Sequence, residues 1–127
     1  MKTTNHEYYV SLEVAKLLKK AGFDWDTYSA YNKDGMFTDK NRSILTWNDF
    51  ANYYSAPTLE VAQRGLREIK NIHIEISPNS DMSAYIYNIL LPGDKFWLGS
   101  PISYITYEEA QEDGIKKALK KILEKGE

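Results

Sequence analysis

Ser55-Ala-Pro-Thr-Leu-Glu-Val-Ala-Gln-Arg-Gly-Leu-Arg-Glu-Ile-Lys-Asn-Ile-His-Ile-Glu-Ile-Ser77 changes its hydrophobic period once, at Asn71, and that change decides the kind of fold. Pro57 lacks a backbone donor and suits a helix start, while the Thr58 hydroxyl can cap the free amides of a first turn. Leu59, Ala62, Leu66 and Ile69 then recur at helical spacing and form one apolar stripe. From Asn71 the period is two. Ile72, Ile74 and Ile76 face one way, and Asn71, His73, Glu75 and Ser77 the other. A helix and a strand joined this closely must pack their apolar faces together, so the unit predicts an α+β core. Its residues specify packing rather than chemistry.

Working towards the N-terminus, Ser11-Leu-Glu-Val-Ala-Lys-Leu-Leu-Lys-Lys-Ala-Gly22 reads as a first helix. Ser11 caps it, Leu12, Ala15 and Leu18 with Val14 and Leu17 form its apolar side, and Gly22 supplies a left-handed stop. The pattern hydroxyl-x-Glu-x-Ala occurs at Ser11, Thr58 and Thr106. Its physics is a hydroxyl cap, a carboxylate near the positive helix end, and a small residue where the first turn meets the core. The segments between do not match, so three independently well-started helices are expected rather than a duplication. From Phe23 to Tyr54 the pattern is less regular. Asn32-Lys33-Asp34-Gly35 predicts a hairpin or structured loop. Trp47, Phe50 and Tyr54 behind Thr46 predict a helix of about two turns.

Towards the C-terminus, Pro78-Asn-Ser-Asp81 is a turn cluster and Ser83 to Leu91 a second strand, antiparallel to the first because the connection is short. Lys95 to Leu98 is read as a third strand broken by Gly99-Ser-Pro101. Thr106 with Glu109 forms a capping box for a last helix that buries Ala110, Gly114, Ile115, Ala118, Leu119 and Ile122. Its acidic start and lysine-rich end complement the helix dipole, which accounts for the lysine run without nucleic acid. Gly65 and Gly114 lie inside helices at a cost of about 1 kcal/mol each relative to alanine. Close packing is the favoured reason for keeping them. The expected architecture is an antiparallel sheet of three to five strands, with three capped helices mainly on one face, in one domain spanning residues 1–127.

Composition narrows the function classes. A net charge of −2 gives no global attraction to DNA, RNA or an anionic membrane. The absence of cysteine excludes disulfides, thiolate chemistry and cysteine–zinc sites. There is no signal-like start and no apolar run of membrane-spanning length, so a cytoplasmic protein is expected. His73-x-Glu75 lacks the paired cysteines of a zinc deaminase, and Asp24-x-Asp26 follows a helix stop and reads as a turn. No phosphate-binding glycine loop, nucleophile elbow or dinucleotide fingerprint is present. No catalytic residues, metal ligands or cofactor are assigned, and an enzyme is not expected.

Aromatic residues are abundant, with 10 tyrosines, 3 tryptophans and 4 phenylalanines. Packing explains most such rings, yet they also form stacking walls for planar ligands. Trp25, Tyr31, Trp47 and Tyr53 are candidate walls. Arg64 and Arg67, three residues apart on the central helix, are candidate phosphate clamps. The alternative is a solvated helix face in which Arg64 pairs with Glu60 or Glu68. Phe96, Trp97 and Leu98 near a chain break favour self-association as a homo-oligomer.

Tyr9-Val-Ser-Leu-Glu-Val-Ala-Lys-Leu-Leu-Lys-Lys-Ala-Gly-Phe-Asp24, Tyr54-Ser-Ala-Pro-Thr-Leu-Glu-Val-Ala-Gln-Arg-Gly-Leu-Arg67, Ile72-His-Ile-Glu-Ile76 and Tyr107-Glu-Glu-Ala110 resemble a group of small proteins widespread in phages and prophages of gut Bacteroides-type bacteria. The resemblance covers most of the chain and marks helix starts and core. Tryptophan is common at position 65 of that group; glycine here is expected to open space beside Arg64. The resemblance implies an accessory protein of a mobile element, acting in the host-cell cytoplasm on a host protein or host signal. Two functions are therefore expected. One is non-catalytic, anti-defence sequestration of a small nucleotide-like host signal. The other is a protein-interaction module that inhibits or adapts a host or virion protein.

Overall fold

Three hydroxyls start the three helices, and each does so by the same bond. Ser11 precedes α1 (Leu12–Lys20) and its Oγ accepts from the Val14 amide at 3.2 Å. Thr58 precedes α2 (Leu59–Lys70) and accepts from Val61 N at 3.2 Å. Thr106 precedes α3 (Tyr107–Lys125) and accepts from Glu109 N at 3.0 Å, while the Glu109 carboxylate takes the Thr106 amide at 3.3 Å to complete a capping box. The alanine four positions after each cap, Ala15, Ala62 and Ala110, is fully buried. The computed structural model describes residues 8–25, 27, 29–38 and 53–125.

The α+β class expected from the sequence is the class observed: the described residues form three helices and six strands, all paired antiparallel. The strands divide between two sheets. In the first, β1 (Ala30–Asn32) lies between β2 (Phe37–Thr38) and β3 (Tyr53–Ser55). The β1–β2 connection is a hairpin whose Asn32 Oδ1 accepts from the Asp34 and Met36 amides at 2.9 and 3.0 Å. In the second, β5 (Tyr85–Leu90) lies between β4 (His73–Pro78) and β6 (Leu98–Gly99). Register pairs His73 with Leu90, Glu75 with Asn88 and Ser77 with Ile86 on one face, and Ile74 with Ile89 and Ile76 with Tyr87 on the other.

α3 packs on that second, apolar face. Gly114 is where it approaches most closely: a Cβ there would lie 3.2 Å from Ile74 Cγ2 and from Tyr87 Cβ and Cγ. α1 ends at Gly22, whose φ of +88° is a left-handed stop, and the Phe23 amide returns to the Leu18 carbonyl at 3.0 Å. One apolar cluster joins α1, α2, α3 and strands of both sheets, with Val14, Leu18, Tyr31, Leu59, Leu66, Ile74, Tyr87 and Leu119 among its members. Beside it runs a polar relay. The buried Gln111 side chain donates to Gln63 Oε1 at 2.8 Å, and Gln63 Nε2 donates to the Ile74 carbonyl at 2.7 Å, tying α3, α2 and β4 together.

Several expectations need correction. Tyr54 belongs to β3 and not to a helix; the rest of the proposed Thr46 helix, with Trp47 and Phe50, lies outside the described residues. The third strand of the second sheet begins at Leu98, where the sequence reading ended it, and includes Gly99. The residue read as a breaker instead pairs with Asn88, and a Cβ at Gly99 would stand 3.3 Å from Asn88 Oδ1. Ile69 leaves the α2 stripe and is 53% exposed. Gly65 does not open space. A Cβ there would lie 2.7 Å from Phe23 Cε1 and 3.2 Å from Trp25 Cη2, so the two rings fill it. Among the described residues no helix is long and apolar enough to cross a membrane.

Candidate binding surface

Of the six residues expected to form a ligand site, five are described, and Trp25 and Arg64 are brought into contact. Tyr31 is a core residue, 8% exposed, with its hydroxyl donating to the Val10 carbonyl at 2.8 Å and its ring set edge-on to Phe37 at 5.3 Å. Burial, reinforced by the Glu112 carboxylate, raises its pKa, as suits a structural phenol. Tyr53 lies in β3, where its carbonyl accepts from Lys19 Nζ at 2.9 Å. Trp25 packs against Phe23 at 5.0 Å between ring centroids, and the Arg64 guanidinium lies over it at 5.8 Å. Trp47 lies outside the described residues.

The two arginines leave the exposed side of α2 into different surroundings. Arg64 spreads on Trp25, an arrangement favoured by the ring quadrupole. Neither Arg64 nor Arg67 is ion-paired to a carboxylate among the described residues, so Glu60 and Glu68 do not neutralise them. Arg67 instead lines a groove with His73, Ile74, Glu75, Leu90 and Trp97. Its volume, ≈ 410 Å³, is within the usual range for small-molecule sites. A second cavity, between Leu18, Phe23, Gly65, Leu66, Ile69 and Leu119, holds ≈ 60 Å³ and is too small for a nucleotide.

The groove lies at the start of β4, and most of its strand residues belong to the polar face of the second sheet. Strand alternation puts His73 and Glu75 on that face, and the register adds Leu90 opposite His73. His73 Nε2 lies 3.1 Å from Asn71 Oδ1 across the left-handed end of α2. Glu75 is exposed and has no hydrogen-bond or ion-pair partner among the described residues. Trp97, immediately before β6, also lines the groove and is 43% exposed; Phe96 beside it is 83% exposed. Aromatic, cationic and anionic groups thus meet in one open groove between the end of α2 and the second sheet.

On the other side of the molecule the titratable groups are committed to structure. The Glu112 carboxylate receives both the hydroxyl and the amide of Ser11, the cap of α1. Burial raises its pKa, while the bonds from Ser11 and the charge of Lys116 oppose that rise. Asp113 accepts from the Tyr104 hydroxyl at 2.5 Å, and Tyr104 is pushed well above the usual phenol range by its desolvation and by that carboxylate. Lys116 lies 3.3 Å from Glu13 and 3.4 Å from Asp113. Among the described residues no three His, Asp or Glu side chains are grouped so as to hold a metal ion.

Sequence reasoning singled out Arg67 as a phosphate clamp and Trp97 as a self-association contact without bringing the two together. Alternation alone places His73 and Glu75 together; only the strand register brings Leu90 and Trp97 to the same place. No family model matches the chain, and neither the curated proteins nor the solved structures yield a match.

Proposed function

We propose that the protein is a non-catalytic interaction module whose working surface is the polar face of the β4–β5–β6 sheet with its Trp97 margin. One observation carries this reading: Phe96, Trp97 and Leu98, three consecutive large apolar residues at the start of β6, are all exposed. Exposed aromatics beside an unpaired arginine have the composition of a protein contact, where Tyr, Trp and Arg dominate the energetics. Among the described residues no arrangement of nucleophile, base and anion-binding donors stands beside them. The phage-like resemblance favours a partner from the host or the virion. The test is loss of partner binding in Phe96→Ala and Trp97→Ala, with unchanged thermal stability, measured against the cognate partner by titration calorimetry.

A second reading rests on Arg67. A guanidinium without a carboxylate partner, next to an indole in a groove of ≈ 410 Å³, suits a planar phosphate-bearing molecule. Sequestration of a nucleotide-like signal would then use Arg67 and Trp97 in place of the set Trp25, Tyr31 and Tyr53. Denaturing the purified protein and identifying any released small molecule by mass spectrometry tests it. Recovery of an intact nucleotide supports sequestration; an empty protein that also fails to bind added adenosine monophosphate removes it.

A further inference from the structure

The geometry points to a second copy of this chain as the occupant of the groove, in a two-fold dimer that sets Arg67 of each protomer against Glu75 of the other. The inference rests on the reading of this face as an interaction surface. Arg67 and Glu75 line one groove and carry opposite charge, and their side chains are neither hydrogen-bonded nor ion-paired among the described residues. A patch that holds both members of a pair, unjoined within the protomer, is complementary to itself under a two-fold rotation. Self-complementarity of one patch is the requirement for a closed dimer.

The apolar components agree. Trp97 lines the groove and Phe96 stands free beside it at 83% exposure. An aromatic side chain offers about 150–250 Å² of surface, so Phe96 brings a large share of the ~800 Å² each partner contributes to a standard interface. The adjoining β6 has two residues, too short to offer a long ladder to a foreign strand, which leaves side chains as the basis of recognition. The rotation repeats each contact, so two aromatic clusters and two ion pairs form together.

The test is sedimentation of the full chain up to tens of micromolar, with circular dichroism to confirm folding. Arg67 and Glu75 are exposed, so reversing either charge leaves the monomer intact. A dimer is expected for the wild type. Arg67→Glu and Glu75→Arg should each weaken association by at least about tenfold, since like charges then face each other across the interface. An equimolar mixture of the two single variants should restore dimers, because both pairs are re-formed in the heterodimer. A folded wild type that stays monomeric overturns the proposal, as does a dimer indifferent to both reversals. Titration with adenosine monophosphate separates the two levels of failure. A monomer whose nucleotide binding is lost in Arg67→Glu overturns the second copy but keeps this face as the working surface. A monomer that binds no nucleotide, and whose cognate-partner binding is unchanged by Phe96→Ala, overturns both.

Discussion

Glu112 holds α1 at its first turn through two bonds to Ser11, at the expense of a partly desolvated charge. Because burial raises its pKa, the fold favours the protonated form. Its contribution to stability is therefore complete below the ordinary carboxylate range and is lost as the pH rises through the raised value. Glu112→Gln, which keeps an acceptor for Ser11 without charge, should flatten that dependence. Thermal denaturation from mildly acidic to neutral pH should show the stability difference, wild type minus variant, falling steadily as pH rises. Gly65→Ala tests the other tight contact. The helix gains about 1 kcal/mol from alanine, but the new methyl meets Phe23 at 2.7 Å, and overpacking costs about 1–3 kcal/mol. Urea denaturation should show a net loss in stability. Neither contact is written in the local sequence: Ser11 and Glu112 are distant in the chain, and the rings over Gly65 come from a segment without helical or strand periodicity.

At the level of elements, what was legible followed from local chemistry. The three caps, the left-handed stop at Gly22, the Asn32 hairpin and the isoleucine alternation of β4 depend on neighbours within a few residues, and all stand as expected. What was missed depends on pairing across the chain. Tyr54 has helical spacing from Trp47 but pairs with Tyr31 in a sheet, and Gly99 pairs with Asn88 in a strand. The same limit hid the groove, since Leu90 and Trp97 reach Arg67 only through the register of β4, β5 and β6. Two substitutions calibrate the elements. Thr106→Ala removes an exposed cap and should cost about 1 kcal/mol; Leu66→Ala empties a buried position of α2 and should cost about 2–5 kcal/mol. Chemical denaturation that ranks them in the reverse order would place Leu66 outside the core.

For the whole molecule, side-chain bonds between distant elements do much of the joining. The relay from Gln111 through Gln63 to the Ile74 carbonyl links α3, α2 and β4 within the interior. Gln111→Leu should cost about 1–3 kcal/mol by leaving Gln63 Oε1 without its donor, while Gln63→Leu/Gln111→Leu together should lose less than the two singles summed. A double-mutant cycle by calorimetry reads that coupling. The clamp on α1 has a further consequence, in time rather than in energy. Ser11 and Glu112 stand 101 positions apart, and the Lys116–Glu13 bond spans 103. During synthesis at about 5–20 residues per second, roughly 5–20 s pass between the emergence of the two partners. Throughout that interval the nascent chain displays Val14, Ala15 and Leu18 with nothing from α3 to cover them, so the apolar side of α1 is open to other partners, a chaperone among them, until α3 is made.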